Sequence, residues 1–204
     1  MRHRRHGRVL GRAPSHRRAL LRNLASALFL TERLDSDLDV NRPKVKGRII
    51  TTLAKAKEIR PMVEKCVTIA KRTRVAEKAS QEFATTATRN TAEWKSWREG
   101  EQYPKWVEAR APVVNARRKL FAMLRHKEAV EILIAQIADR FEDRPGGYTR
   151  ILKLAKPRLG DNGPRAILEF TGKNDRVFKR SEKPDFGSDA ASTEGVLDTT
   201  AAGE

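Results

Sequence analysis

Apolar residues recur every three or four positions in three stretches of this chain, and the spacing predicts helices over 16–30, 53–74 and 114–141, the last as one helix or two. The predicted buried face of the first comprises Leu20, Leu24, Ala27 and Leu28. That of the second comprises Ile59, Met62, Val63, Cys66, Val67 and Ala70. Ser15 and Thr52 stand where side-chain N-caps are expected, and Pro61 should kink or weaken the second helix.

Three shorter segments predict β-strands. RIITTL at 48–53 is rich in β-branched residues, and 148–154 alternates between two sets of side chains as a half-exposed strand does. A loop of Gly, Asn and Pro separates that segment from a third candidate strand at 165–171. Residues 173–204 lose apolar periodicity and turn acidic, which predicts a disordered tail.

The charge of the chain indicates what class of partner the protein binds. The 204 residues include 43 Lys and Arg against 26 Asp and Glu, a formal net charge of +17 that indicates a polyanionic partner, nucleic acid or an anionic membrane. The first acidic residue is Glu32, and every basic residue other than His before Lys44 is Arg. Arginine grips phosphate with two bonds and stacks on bases, which favours RNA contact.

Residues 1–14 have no apolar periodicity and predict an extended basic arm, followed by a single domain over 15–172. The arm's arginines repel one another when free, and phosphate contacts with counterion release would offset that repulsion. The alternative is a flexible solubilising tail. We favour RNA contact because no acidic residue compensates the arm.

All three tryptophans fall between residues 76 and 111, a segment that we call the insert and expect to be helical. Trp94, Trp97, Tyr103 and Trp106 could stack on unpaired bases, or they could pack the insert onto itself or onto a neighbouring protein. Packing is favoured because Glu93, Glu99, Glu101 and Glu108 interleave with the aromatic residues and would repel phosphate.

Several other classes are disfavoured. The longest apolar runs are too short to span a bilayer, and the arm lacks the amphipathic periodicity of an organelle transit peptide. His3, His6 and His16 have no Cys or acid nearby to complete a zinc site, and His126 looks exposed without an evident partner. The lone Cys66 is expected to be a small buried hydrophobe. No catalytic constellation, phosphate-cradling loop or cofactor motif is evident, so we expect no enzyme, cofactor, metal or small-molecule substrate.

Three blocks carry a family resemblance. These are MRHRRHGRVLGRAPSHRRALLRNLASAL at the N-terminus, RIITTLAKAKEIRPMVEKCVTIAK, and RPGGYTRILKL followed by GDNGPRAILEF. With 114–141 they cover about two-thirds of the chain in one order. Together they resemble the bacterial ribosomal protein L17 family.

The resemblance implies a large-subunit ribosomal protein, in the bacterial cytoplasm, that binds ribosomal RNA near the outer end of the nascent-chain tunnel and adjoins other ribosomal proteins. It also implies an α+β fold with a small mixed sheet of three strands and several helices. The chain departs from the family pattern at 34–46, in the insert and in the acidic tail.

Candidate RNA-binding residues follow from the basic arm, the basic helix sides and the GGYTR block. They are Arg2, His3, Arg4, Arg5, His6, Arg8, Arg12, Ser15, His16, Arg17, Arg18, Arg22, Asn23, Lys55, Lys57, Arg60, Arg117, Arg118, Gly146, Gly147, Tyr148 and Arg150. The two glycines fit a close approach to RNA and a simple tight turn equally well. A DNA-compacting protein and an RNA-processing enzyme are the rival functions, and the sequence offers neither a recognition helix with a dimer interface nor a catalytic group.

Overall fold

The computed structural model describes residues 7–33, 43 and 45–172. Its elements, in chain order, are α1 (Pro14–Leu30), β1 (Arg48–Thr52), α2 (Leu53–Gln81), α3 (Ala92–Glu99), α4 (Gln102–Leu124), α5 (Lys127–Ile132), a π-helical turn (Leu133–Ile137), α6 (Ala138–Arg140), β2 (Thr149–Lys153) and β3 (Arg165–Phe170). The predicted α+β class is confirmed. Residues 1–6 of the predicted arm and the predicted tail, 173–204, lie outside the described residues.

The three strands form one sheet in the order β1-β3-β2, close to where the sequence predicts them. Both pairings are antiparallel, so the expectation of a mixed sheet is wrong. β3 lies between β1 and β2 in the sheet. The connection from β2 to β3 is a loop that reverses the chain direction, rather than a crossover helix. β1 and β2 therefore run parallel to each other but are never neighbours.

One face of the sheet covers the core. Ala166, Leu168 and Phe170 point inward from β3, and Phe170 stacks on Phe29 of α1 with ring centroids 6.0 Å apart. The long helix α2 supplies most of the opposing surface. Five of its six predicted face residues are buried, and the sixth, Met62, packs against the cluster, which confirms the predicted face.

Helix α1 differs from the prediction both in its first residue and in the residues that form its buried face. It begins at Pro14 with Ala13 as N-cap, so Ser15 lies inside the first turn and caps nothing. Proline is favoured at the first helical position because its fixed φ suits the helix and its missing N–H has no partner there. The buried residues are Ala25, Ser26, Leu28 and Phe29, and the predicted Ala27 is exposed because the face is centred on the aromatic contact of Phe29.

Helix α2 starts where predicted but extends further. Thr52 is its N-cap residue, although its side chain makes no capping hydrogen bond. The helix continues through Pro61 to Gln81. Proline removes one backbone donor, and burial of Ile59 and Val63 on either side keeps the backbone helical.

The insert is helical, as predicted, but it is continuous with its neighbours. It consists of the last turns of α2, all of α3 and the first turns of α4, which starts at Gln102 rather than near 114. His126 has a clear partner, since its Nδ1 accepts a hydrogen bond from the backbone N–H of Ala129 at 3.3 Å and caps α5. Within the described residues, no helix is long and apolar enough to cross a membrane.

The aromatic residues of the insert pack on one another. The Trp97 ring meets Tyr103 and Trp106 edge-on, with centroids 5.3 and 5.6 Å away, and its indole N–H donates to the Phe83 carbonyl at 3.1 Å. Trp94 lies under the Arg98 guanidinium, 5.1 Å from the ring centroid. The packing prediction is therefore confirmed for three of the four aromatic residues, with Trp94 in a cation–π contact instead.

Candidate nucleic-acid interface

The described part of the arm, Gly7 to Ala13, folds against α2. Its backbone takes left-handed conformations at Gly7, Leu10 and Gly11. Gly7 has φ +91°, a conformation that favours glycine, and a Cβ there would lie 2.9 Å from the Glu58 carboxylate of α2. Arg12 donates to the Leu10 carbonyl at 2.7 Å. The predicted residues Arg2, His3, Arg4, Arg5 and His6 lie outside the described residues.

The start of α1 is basic and open to solvent. Ser15, His16, Arg18 and Asn23 are exposed, while Arg17 and Arg22 are half-buried. Among the described residues, the guanidinium groups of Arg17 and Arg18 reach only backbone carbonyls, at 3.4 Å each. The first turn contains no acidic residue, so its free N–H groups and positive dipole end remain available to a phosphate.

A second basic group lies where α2 faces the edge strand β2. A cleft of about 480 Å³ is lined by Lys57 and Arg60 of α2 and by Lys153 of β2, while Lys55 is half-buried on the same helix. Arg60 donates to Glu64 at 3.1 Å, and the same carboxylate accepts from the Thr149 hydroxyl at 2.9 Å. Nothing in the sequence singled out Lys153, because only the sheet register brings it beside the helix.

The second half of α4 carries a third basic group. Arg117, Arg118, Lys119 and Arg125 are exposed, and none of them forms an ion pair within the part of the chain that the structure describes. The aromatic ring of Phe121 is 39% exposed on the same stretch of helix. Lys119 and Arg125 were not predicted, although they continue the basic run that selected Arg117 and Arg118.

The GGYTR block is divided between turn, core and surface. Gly147 has φ +63° beside a bend at Gly146, and a Cβ on either glycine would meet no neighbour within 4 Å. Tyr148 is 3% exposed and packs on Phe141 at 5.1 Å, so its ring belongs to the core and is not accessible to RNA. Arg150 is exposed and donates to Glu169 at 2.5 Å.

Other cations hold the fold together. Arg140 binds Glu32 through two hydrogen bonds of 2.7 Å, and the pKa of the guanidinium is raised, chiefly by those bonds. The nearly buried carboxylate of Glu169 lies between Arg48, at 3.2 Å, and Arg150. Among the described residues, the basic side chains thus divide into a set paired with carboxylates and an unpaired surface set, and α1 and the second half of α4 supply much of the unpaired set.

The remaining candidate chemistry is structural. Burial raises the pKa of the Cys66 thiol to about 12, which makes it unreactive at neutral pH. No group of three or more metal-ligating side chains occurs among the residues described.

Comparison with known proteins gives the family. The model described as Ribosomal protein L17 matches residues 20–171. A large ribosomal subunit protein bL17 from Rhodopirellula baltica is 58% identical over 201 residues, covering 98% of this chain and 95% of that protein. Proteins of the same name from Nitratidesulfovibrio vulgaris and Desulfovibrio desulfuricans are 34% and 32% identical, covering 84% and 90% of this chain and 88% and 76% of their own lengths. These relatives are named as ribosomal proteins rather than enzymes, which confirms the non-enzymatic prediction. The chain belongs to the ribosomal protein L17 family of the bacterial large subunit.

Proposed function

We propose that this protein binds and stabilises ribosomal RNA as a structural constituent of the large subunit. The observation that carries the proposal is the stretch from the N-terminus through most of α1, which contains no acidic residue before Glu32. Its cations have no acidic neighbours in sequence, so phosphate is the partner that would offset their mutual repulsion.

The proposed contacts are the candidate residues named above, with two changes. Tyr148 is left out because it is buried, and Lys119, Arg125 and Lys153 are added because they lie beside predicted residues. Specificity would come mainly from RNA shape, since phosphate contacts position a protein without reading sequence. No cofactor or small-molecule substrate is needed for this function.

The finer placement rests on the family resemblance. We propose a site in the cytoplasmic ribosome near the outer end of the nascent-chain tunnel. We also propose a division into an arm at 1–14, a domain at 15–172 and a tail at 173–204. Neighbouring ribosomal proteins would adjoin the insert, where Trp94 and Arg98 present a cation–π pair at the surface.

A binding experiment separates this function from the DNA-binding alternative. The full chain is titrated at several salt concentrations with protein-free large-subunit RNA and with duplex DNA of similar length. Tighter binding to the RNA, together with sedimentation of the protein with large subunits at moderate salt, is expected. Equal or tighter binding to DNA, or absence of the protein from purified subunits, would contradict the proposal.

A further inference from the structure

A groove lies between α2 and α4. Its volume is about 880 Å³, and its floor is formed by Ile69 of α2 with Ala111, Pro112, Ala116 and Met123 of α4. Because the α4 side chains that form the floor are mostly small, a flat group can approach the backbones of both helices closely. The protein leaves this apolar surface uncovered within the residues described.

Cations line both walls of the groove. Lys65 and Arg72 stand on the α2 wall and Lys119 on the α4 wall. None of the three forms an ion pair in the described ranges, whereas Arg74, only two residues beyond Arg72, donates to Asp139 at 2.6 and 2.9 Å. Glu108 is the one acidic residue among the described lining residues. The walls are therefore positive overall and suit an anionic occupant.

A polar group also faces the groove. Asn115 of α4 also lines the groove, and its side chain makes no hydrogen bond with the residues that the structure describes. Its amide can donate two hydrogen bonds and accept others. The groove thus combines an apolar floor, cationic walls and one side-chain amide that can form hydrogen bonds with the polar edge of a ligand.

We propose that this groove holds a short single-stranded stretch of ribosomal RNA. Unstacked bases would lie against the apolar floor, phosphates would lie at Lys65, Arg72 and Lys119, and Asn115 would bind a base edge. A duplex keeps its bases stacked inside and could not reach the floor. An apolar peptide would leave the three cations unmatched. The inference rests on the proposed RNA-binding function and adds a second kind of contact to the phosphate contacts of the arm.

Photocrosslinking tests the location of the RNA. The full chain is bound to large-subunit RNA containing 4-thiouridine, irradiated and digested, and the crosslinked peptides are identified by mass spectrometry. Crosslinks within 65–73 or 111–123 are expected, since both segments line the groove. Crosslinks confined to the arm and α1, or a groove occupied by a neighbouring protein in intact subunits, would overturn the proposal.

Filling the groove tests the role of its floor. Ala116→Phe and Ala122→Phe introduce bulk among the lining residues without changing charge, and Ala79→Phe places the same bulk on an exposed part of α2 outside the groove. We expect the two groove variants to bind RNA about tenfold more weakly, from the loss of roughly one base contact, with an unchanged salt dependence. Ala122 is exposed, so its substitution leaves the fold intact even if that at the half-buried Ala116 does not.

A charge variant completes the experiment. Lys119→Gln should lower the slope of log affinity against log salt by about 0.7, the value for one single-strand phosphate contact, whereas Lys95→Gln in the insert should leave it unchanged. Groove variants that bind as tightly as the Ala79→Phe control would overturn this inference alone. A wild-type chain that fails to bind the RNA would instead overturn the proposed function.

Discussion

The acid-free N-terminal stretch and the insert are opposites in composition. The first 31 residues contain no Asp or Glu, whereas the insert has six acidic and six basic residues and a net charge of zero. The insert also holds all three tryptophans of the chain. A segment without net charge gains little electrostatically from a polyanion, so we expect the two regions to have different partners, RNA for the first and protein for the second.

The two regions are also stabilised differently. The main core buries aliphatic side chains together with aromatic ones such as Phe29, and it pairs nearly buried carboxylates with arginine, as in Glu32 and Arg140. In the insert, Trp97 is only half-buried and is held by edge-on aromatic contacts and one indole hydrogen bond. Loosening the insert should therefore leave the main core and the basic surface unaffected.

The largest expected effect comes from removing the charge of the arm. Replacing its five arginines by glutamine should lower the affinity for large-subunit RNA about a hundredfold near physiological salt, and reduce the salt slope by about 3 to 4. The replaced residues are Arg2, Arg4, Arg5, Arg8 and Arg12. Filter binding across a salt series measures both quantities.

The control for the arm is a matched change in the insert. Arg89, Lys95 and Lys105 are exposed there, and their replacement by glutamine also removes cations. If RNA affinity depended only on total charge, this variant would lose affinity in proportion to the number of cations removed. An equal loss per charge in the two regions would contradict the contrast between them.

The next effect separates paired from unpaired arginines. Arg140→Met leaves the Glu32 carboxylate, 8% exposed, without its bidentate partner. The free energy of unfolding should fall by about 2 kcal/mol, a value discounted because the guanidinium is partly exposed. Arg118→Met, on an exposed and unpaired residue, should leave stability unchanged and lower RNA affinity a few-fold.

Chemical denaturation and RNA binding are both measured on the two variants, so that changes in stability and in RNA affinity are compared separately. The expected pattern is that Arg140→Met changes only stability and Arg118→Met changes only binding. A loss of stability in Arg118→Met, or of RNA affinity in folded Arg140→Met, would show that the division into two sets is wrong.

The sequence predicted what depends on local spacing. The buried side of α2 and the positions of all three strands follow from periodicity, because one helix face or one sheet face meets the core. Features that join distant parts of the chain were not predictable. Strand order depends on how β3 inserts between its neighbours, and the Glu32–Arg140 pair joins residues 108 positions apart.

The candidate site shows the same limit. Composition selected the arm and the basic sides of α1, but it could not separate Tyr148, a core residue, from the exposed side chains around it. Nor could it show that Lys65 and Arg72 face Lys119 across a groove, since that depends on how α2 packs against α4. Basic residues reveal the kind of partner, whereas the fold decides which of them can reach it.

A smaller effect is expected from the insert's central aromatic residue. Trp97→Ala removes two edge-on ring contacts and the hydrogen bond to Phe83, which should cost about 1 to 2 kcal/mol of local stability. Hydrogen exchange should become faster between residues 83 and 106 and stay unchanged in β3. RNA affinity should remain within about twofold of wild type. A lost RNA crosslink or a larger fall in affinity would indicate that the ring stacks on a base.

The smallest expected effect is the most direct test of where the insert lies. Glu93→Gln with Glu101→Gln removes two exposed acids and makes the insert positive. Screening limits such charges to a range of about 8 Å at physiological salt. If the insert points away from the RNA, affinity should change by less than about twofold, whereas the same increase in charge beside a phosphate would strengthen binding and steepen its salt dependence. A null result measured at low salt, where the screening length is longest, would place Glu93 and Glu101, which do not line the groove between α2 and α4, away from RNA.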